Sequence, residues 1–258
     1  MADYDIIGSI AIIKSEANGK PKSKARKLKE AKKLLKQPNI KTVLEKSTDI
    51  KGRLRTFKTK HLLGDKNLIT VHKENNSLLK LNVQTCYFSP RQSNDRKNLA
   101  KSIKRNQSVL VMFSGIGAYP IIIKKLANPK HITSIEISKA CHQYAKENQK
   151  LNKIKSTEYT IIQGDVKTKI PKQKFDIIIM TRPNLKTTFL KQALTSAKKN
   201  TKIFYQAFSH EDNLKTIKQN LIEEAKQLKR KIKITKTVKA GIIAPSKYRY
   251  RLTIHVLN

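Results

Sequence analysis

Val109-Leu-Val-Met-Phe-Ser-Gly-Ile-Gly117, followed by Ser134-Ile-Glu-Ile137 and Gln163-Gly-Asp-Val166, is the run on which the fold turns. An apolar stretch enters a glycine turn, and two later apolar stretches each end on an acid. Glycine where a strand becomes a helix permits positive φ and lets a ligand approach the backbone closely. Glu136 lies 19 residues beyond Gly117, close to the roughly 20-residue spacing at which an acid holds a ribose hydroxyl pair in doubly wound folds. Asp165 ends the third strand, where it can accept from an adenine amino group. Together these points predict a nucleoside-binding crevice. The third glycine of the dinucleotide fingerprint is missing, because position 120 is Pro, and no P-loop lysine motif is present. The shorter pattern fits S-adenosylmethionine better than a dinucleotide.

Outward from this run the hydrophobic period alternates. Strands are expected at Val109–Phe113, Ile132–Ile135, Tyr159–Ile162, Phe175–Met180, Lys202–Phe208, Ile232–Val238 and Tyr248–Val256. Helices are expected between them at Tyr119–Leu126, Lys139–Leu151, Thr187–Lys199 and Asp212–Lys229, with one more ahead at Arg91–Arg105. Such alternation predicts an α/β fold: a mainly parallel, doubly wound sheet with helices on both faces. The last two strands follow one another directly, which predicts an antiparallel hairpin at one edge. Residues 1–90 read differently. Ile6–Ile13 is an apolar run broken by Gly8, Lys20–Lys36 has the spacing of a cationic helix, and two short strands flank Asn75-Asn76 as a hairpin. The expected organisation is a small α+β domain over residues 1–90 and a cofactor-binding domain over 91–258.

The chain has 56 Lys and Arg against 18 Asp and Glu, a formal charge of +38. That balance points to a polyanionic partner, nucleic acid before membrane. The Lys-rich clusters Lys20–Lys36 and Lys226–Lys236 suit phosphate contacts, which position RNA without reading its sequence. No apolar stretch reaches the ~18 residues of a membrane span, and Met1-Ala-Asp-Tyr-Asp5 shows no signal-peptide pattern. Cys86 and Cys141 lack metal-ligand spacing, and the six histidines form no motif. A reduced, cytoplasmic, monomeric protein with no metal is expected.

Further motifs extend over nearly the whole chain. They include Tyr4-Asp-Ile-Ile-Gly-Ser-Ile-Ala-Ile-Ile, Gly52-Arg-Leu-Arg, Val71-His-Lys-Glu, Tyr87-Phe-Ser-Pro-Arg and Asn94-Asp-Arg. Met112-Phe-Ser-Gly-Ile-Gly, Glu147-Asn, Leu151-Asn-Lys, Gly164-Asp-Val, Met180-Thr-Arg-Pro and Ala244-Pro continue them. On these the chain resembles the archaeal and eukaryotic tRNA (guanine-37, N1)-methyltransferases and their wyosine-forming relatives. Tyr87-Phe-Ser-Pro-Arg91 is the specific part, since methyltransferases in general lack it. The resemblance implies a class I methyltransferase, Rossmann-like domain. It implies that S-adenosylmethionine is held by the turn at Phe113, Gly115 and Gly117, by Glu136 and Ile137, and by Asp165 and Val166. It further implies that Arg55 contacts the target base, Tyr87 lines the pocket, and Asp95 stands where the family has a glutamate acting as general base. Thr181, Pro183 and Asn184 fall on the segment that cradles the flipped base, and the partner is the anticodon loop and stem of tRNA.

Two positions depart from the family pattern. Thr181 replaces an Asn usual in the guanine-N1 enzymes, which directs attention to the wyosine branch, where a ring carbon of the tricyclic base is methylated. Asp95 is one methylene shorter than Glu. The resemblance also begins at the family's second domain, so the check on the outer corner of the tRNA is expected to be weak or absent. The chemistry suits the residues. Guanine N1 carries a proton at neutral pH, so a base must take it and a cation near O6 must stabilise the charge that develops. The expected activity is methylation of guanine N1, of C7 of the tricyclic precursor, or of both. The rivals are a methyltransferase for another RNA base and a basic RNA-binding protein with a vestigial cofactor site.

Overall fold

The computed structural model describes residues 4–17, 20–50, 52–181, 187–244 and 246–258. The chain divides into two compact units, Met1–Pro90 and Arg91–Asn258.

In the first unit, β1 (Tyr4–Ile7) and β2 (Ile10–Lys14) form an antiparallel hairpin, turning at Gly8 with φ 56°. A short pair, β3 (Glu16–Ala17) and β4 (Lys20–Pro21), leads into α1 (Lys24–Leu35). The helix starts later than its periodicity predicts because Lys20 and Pro21 pair as strand. Ser23 then takes the cap, its hydroxyl accepting the Arg26 N–H at 3.2 Å. α1 carries the chain from β2 to the parallel β5 (Thr42–Lys46), and β6 (Thr59–Gly64) completes a sheet of order β1-β2-β5-β6. Ala11, Ile13, Ala31, Leu34, Ile40 and Val43 fill the space between helix and sheet. β7 (Ile69–Glu74) and β8 (Ser77–Asn82) pair through Asn75 and Asn76, whose φ of 45° and 58° are those of a type I′ turn.

The second unit opens with α2 (Ser93–Ala100), shorter than the predicted Arg91–Arg105 but with Leu99, Ala100 and Ile103 buried. Then follow β9 (Ser108–Met112), α3 (Ala118–Ala127), β10 (His131–Glu136), α4 (Lys139–Leu151), β11 (Tyr159–Gln163) and α5 (Val166–Lys169). The chain next lays down β12 (Phe175–Met180), α6 (Leu190–Thr195), β13 (Ala197–His210), α7 (Leu214–Gln227), β14 (Ile232–Ala244) and β15 (Lys247–Val256). The sheet order is β11-β10-β9-β12-β13-β15-β14. The neighbours from β11 to β13 are parallel, and β15 is antiparallel to both β13 and β14. The chain winds outward from β9 to β11, then returns to build β12 and β13 on the other side. The carboxyl ends of β9 and β12 therefore flank a switch point, where open α/β sheets bind ligands.

Both faces of the sheet are covered. Leu110, Met112, Ile178 and Met180 pack with Leu190, Leu194, Leu221 and Ala225 of α6 and α7. The alternate residues Val109, Val111, Ile177 and Ile179 are buried as well, as expected of parallel strands. One predicted helix is corrected. Thr187–Lys199 is helical only over Leu190–Thr195, and Ala197 already pairs with Phe175 as strand. Asn200 bends that strand with φ 70°, and the Thr201 hydroxyl both accepts from the Lys198 N–H and donates to the Phe175 carbonyl.

Candidate active site

Parallel register brings the predicted crevice residues to one edge of the second unit. Met112 pairs with Ile135, and Glu136 with Gln163, so the ends of β9, β10 and β11 lie side by side. β9 passes into α3 through left-handed residues: Phe113 at φ 62°, Gly115 at 56° and Gly117 at 82°. For Phe113 that conformation costs about 1–3 kcal/mol, a strain retained mainly at functional sites. Its ring stacks edge-on against Phe189, also left-handed at φ 60°, with 4.9 Å between centroids. A Cβ on Gly117 would stand 3.4 Å from Ala145 Cβ, Ile121 Cδ1 and the Tyr159 hydroxyl, so the turn is packed tightly from behind. Asn148, fully buried in α4, donates to the Ile116 carbonyl at 3.0 Å and pins the turn from within.

Glu136 joins the three strand ends. Its Oε2 accepts the Gly115 N–H at 2.7 Å and its Oε1 accepts the Ser138 N–H at 2.8 Å. Burial raises its pKa above the ordinary carboxylate range, and the backbone donors of Ser138, Gly115 and Ile137 hold it back in part. A carboxylate has about four lone-pair sites, so capacity remains for hydroxyl donors. Asp165 caps α5, Oδ1 accepting the Lys167 N–H at 2.9 Å. The Val166 side chain belongs to the hydrophobic core and is not available to a ligand. Ile137 accepts from Gln163 Nε2 through its carbonyl at 3.3 Å. This set fits an adenosine-bearing cofactor: an acid for a diol, and a turn whose two glycines take positive φ and carry no side chain.

Thr181 ends β12. Its hydroxyl donates toward the carbonyls of Phe113 and Met112, at 2.8 and 3.0 Å. It therefore ties β12 to the end of β9. Pro183 and Asn184 lie outside the described residues.

In the first unit, Arg55 and Tyr87 are brought together although they are far apart in sequence. The Arg55 guanidinium sits 4.2 Å from the centre of the Tyr87 ring, a cation–π contact. Arg55 itself is left-handed, with φ 55°, in the turn following Gly52.

Asp95 proves more enclosed than a first-turn helix acid. It is 7 % exposed. Oδ2 accepts from the Tyr119 hydroxyl at 2.7 Å, and Oδ1 is paired with Arg251 Nη1. Gln206 Nε2 donates in turn to the Tyr119 oxygen at 2.8 Å. Burial, and then the Asp95 charge, push the Tyr119 phenol well above the ordinary tyrosine range. Tyr119, Gln206 and Arg251 were not legible as site residues. They lie 24 or more residues from Asp95, and no local pattern marks them. Among the described residues there is no cluster of His, Cys, Asp or Glu able to hold a metal, and no helix long and apolar enough to cross a membrane.

A model of the TRM5/TYW2 methyltransferase domain matches residues 70–235, and one of the TYW2 N-terminal domain matches residues 1–67. The tRNA (guanine(37)-N(1))-methyltransferase Trm5b of Pyrococcus abyssi is 34% identical over 210 residues, covering 81% of this chain and 60% of that protein. The tRNA (guanine(37)-N(1))/4-demethylwyosine(37)-methyltransferase Taw22 of Nanoarchaeum equitans is 29% identical and covers 98% of this chain and 99% of its own. The crystal structure of Trm5b from Pyrococcus abyssi superposes with a TM-score of 0.85 at 29% identity, over 99% of this chain and 75% of that one. The chain thus spans about 60% of the length of its Pyrococcus relative and nearly all of its Nanoarchaeum relative.

Proposed function

Since the chain belongs to the TRM5/TYW2 methyltransferase family, we propose that it transfers the methyl group of S-adenosylmethionine to the purine at position 37 of tRNA. The target atom is guanine N1, C7 of the tricyclic wyosine precursor, or both. The protein acts as a cytoplasmic monomer on the anticodon loop and stem. The observation that carries this reading is Glu136, buried at the end of β10 and bonded to the Gly115 N–H, an arrangement that supports a crevice for a ribose.

The turn at Phe113, Gly115 and Gly117 holds the cofactor together with Glu136, Ile137, Asp165 and Val166. Bound there, S-adenosylmethionine supplies an electrophilic methyl group on a sulfonium. The rest of the task belongs to the chain. It must align the base and remove one proton. A base inside a folded tRNA leaves its stack to be reached, and Thr181, Pro183 and Asn184 cradle it. Tyr87 lines its pocket and keeps Arg55 in place through the cation–π contact. The Arg55 charge stabilises the negative charge that grows on O6 as N1 loses its proton. Asp95 takes that proton. When the target is C7, the proton leaves the ring carbon after attack, and the same carboxylate receives it. The exposed lysines of α1 and of the segment 226–236 contact phosphates and set the register of the RNA.

The test is methyl transfer from labelled S-adenosylmethionine to two matched tRNAs, one with guanosine and one with the tricyclic precursor at position 37, followed by nucleoside analysis. Label in 1-methylguanosine alone assigns the guanine-N1 activity. Label in the tricyclic base assigns the wyosine branch and makes the segment 181–184 the selectivity element. Label at any other position rejects the reading.

A further inference from the structure

We propose that Arg251 and Tyr119 are positioning residues that act through Asp95, so that the two C-terminal strands take part in the chemistry. The inference rests on Asp95 being the group that accepts the substrate proton. Every polar neighbour of this carboxylate donates. Arg251 Nη1 reaches Oδ1 and also the Asp95 backbone carbonyl at 3.2 Å, so one guanidinium grips both the side chain and the helix that carries it. The Tyr119 hydroxyl accepts from Gln206 Nε2, which directs its own proton to Oδ2 of Asp95. Gln206 and Arg251 are partners across the β13–β15 ladder. One cross-strand pair therefore supplies both arms: Arg251 directly, and Gln206 through Tyr119 of α3.

The consequence is geometric. A carboxylate held at both oxygens from different sides cannot rotate about its χ2 without breaking a bond. Its remaining lone pairs then point in one fixed direction. A shorter acid reaches less far than Glu, so a fixed direction matters more at this position. The Arg251 charge also answers the Asp95 charge in a buried setting, where an unpaired carboxylate would be costly.

Single-turnover methyl transfer with the full chain, at saturating tRNA, separates positioning from mere support. Tyr119→Phe removes only the phenol oxygen and keeps the ring. Arg251→Met removes the charge and keeps the stem, and Arg251→Lys keeps the charge without the fork. Tyr119→Phe is expected to slow the chemical step by roughly 10-fold, the loss of one hydrogen bond to a charged group. Arg251→Met is expected to slow it more, and Arg251→Lys to recover part. KM for tRNA and the Kd for S-adenosylmethionine stay within about twofold. In an Asp95→Asn background neither substitution adds its full effect, because groups acting through one carboxylate are non-additive. An unchanged rate in Tyr119→Phe, or full multiplicative losses on top of Asp95→Asn, overturns the inference. Wild-type protein that transfers no methyl to either tRNA rejects the functional reading itself, and this inference with it. Should Arg251→Met fail to fold, Tyr119→Phe alone decides.

Discussion

Glu136 and Asp95 are the two buried acids of the second unit among the described residues, 8 % and 7 % exposed, and they are held in opposite ways. Glu136 is held by backbone N–H groups of Gly115 and Ser138, one across the neighbouring strand end and one two residues on. Asp95 is held by side chains from α3 and β15, with β13 behind them. Backbone donors bring no net charge, so burial dominates at Glu136 and its pKa rises. At Asp95 a guanidinium answers the charge directly. The difference suits the two tasks proposed for them. An acid that holds hydroxyl groups needs only a fixed place and spare lone pairs. An acid that must receive a proton at one moment needs a fixed direction.

The comparison breaks first at Glu136. Glu136→Ala removes the acceptor of two backbone N–H groups and the acceptor proposed for the ribose hydroxyls, and is expected to weaken S-adenosylmethionine binding by about 100-fold or more by calorimetry. A change below about threefold would mean that the crevice does not use this acid. The pH dependence sharpens the point. The folded state keeps the Glu136 proton to higher pH than the unfolded chain does. Its contribution to stability is thus present at low pH and lost as pH rises from the ordinary carboxylate range through the raised value. Cofactor affinity should move the other way, falling on acidification through that same window, because the ionised carboxylate is the acceptor. Glu136→Gln should remove both trends. Calorimetry and thermal melts across pH 4–8 would expose parallel trends, which would contradict a raised pKa at this position.

Thr181 offers an intermediate case, a side chain bound to the backbone at the end of β12. Thr181→Asn introduces the residue that the resemblance assigns to the guanine-N1 enzymes and replaces the tie to Phe113 and Met112. We expect a loss of about 1 kcal/mol in stability and a shift of roughly 10-fold toward guanosine in competition between the two tRNAs, the scale of one hydrogen bond. An unchanged ratio would show that position 181 is a strand tie and nothing more.

The same contrast explains what could be read beforehand. Phe175–Met180 and Lys139–Leu151 stand at their predicted limits because each is a local pattern: an apolar run between breakers, and a helix with Ser138 as its cap. The strand ends carrying Gly115, Glu136 and Asp165 were legible for the same reason, since one helix and one strand of ordinary length separate each from the next. Thr187–Lys199 misled because Leu190, Ala193, Leu194 and Ala197 recur at helical spacing and are all buried. Ala197 serves that periodicity equally well as the first residue of β13, and pairing with Phe175 decides the matter. Strands β5 and β6 of the first unit are short, and neither shows the alternation of buried and exposed positions that marks a half-buried strand. The partners of Asp95 were out of reach in principle. Arg251 is 156 residues away, on a strand whose alternation says only that one face is buried.

Two phenols give the finest test, because they are alike in all but their partners. Tyr119 and Tyr159 are both buried, and burial pushes both phenols above the ordinary tyrosine range. Tyr159 shares a 2.8 Å hydrogen bond with the fully buried Ser134 hydroxyl, behind the glycine turn. Tyr159→Phe leaves that hydroxyl without its partner, at a cost of about 1–3 kcal/mol. For a unit of this size, each kcal/mol lowers the melting temperature by about 2–4 °C. Methyl transfer below the melt should nevertheless be unchanged, because neither group bears charge or touches an acid that moves a proton. Tyr119→Phe removes the same atom from an equally buried ring and should slow transfer. If Tyr159→Phe slowed transfer as much, loss of packing order would account for both phenols, and the distinction between a fixed place and a fixed direction would fall.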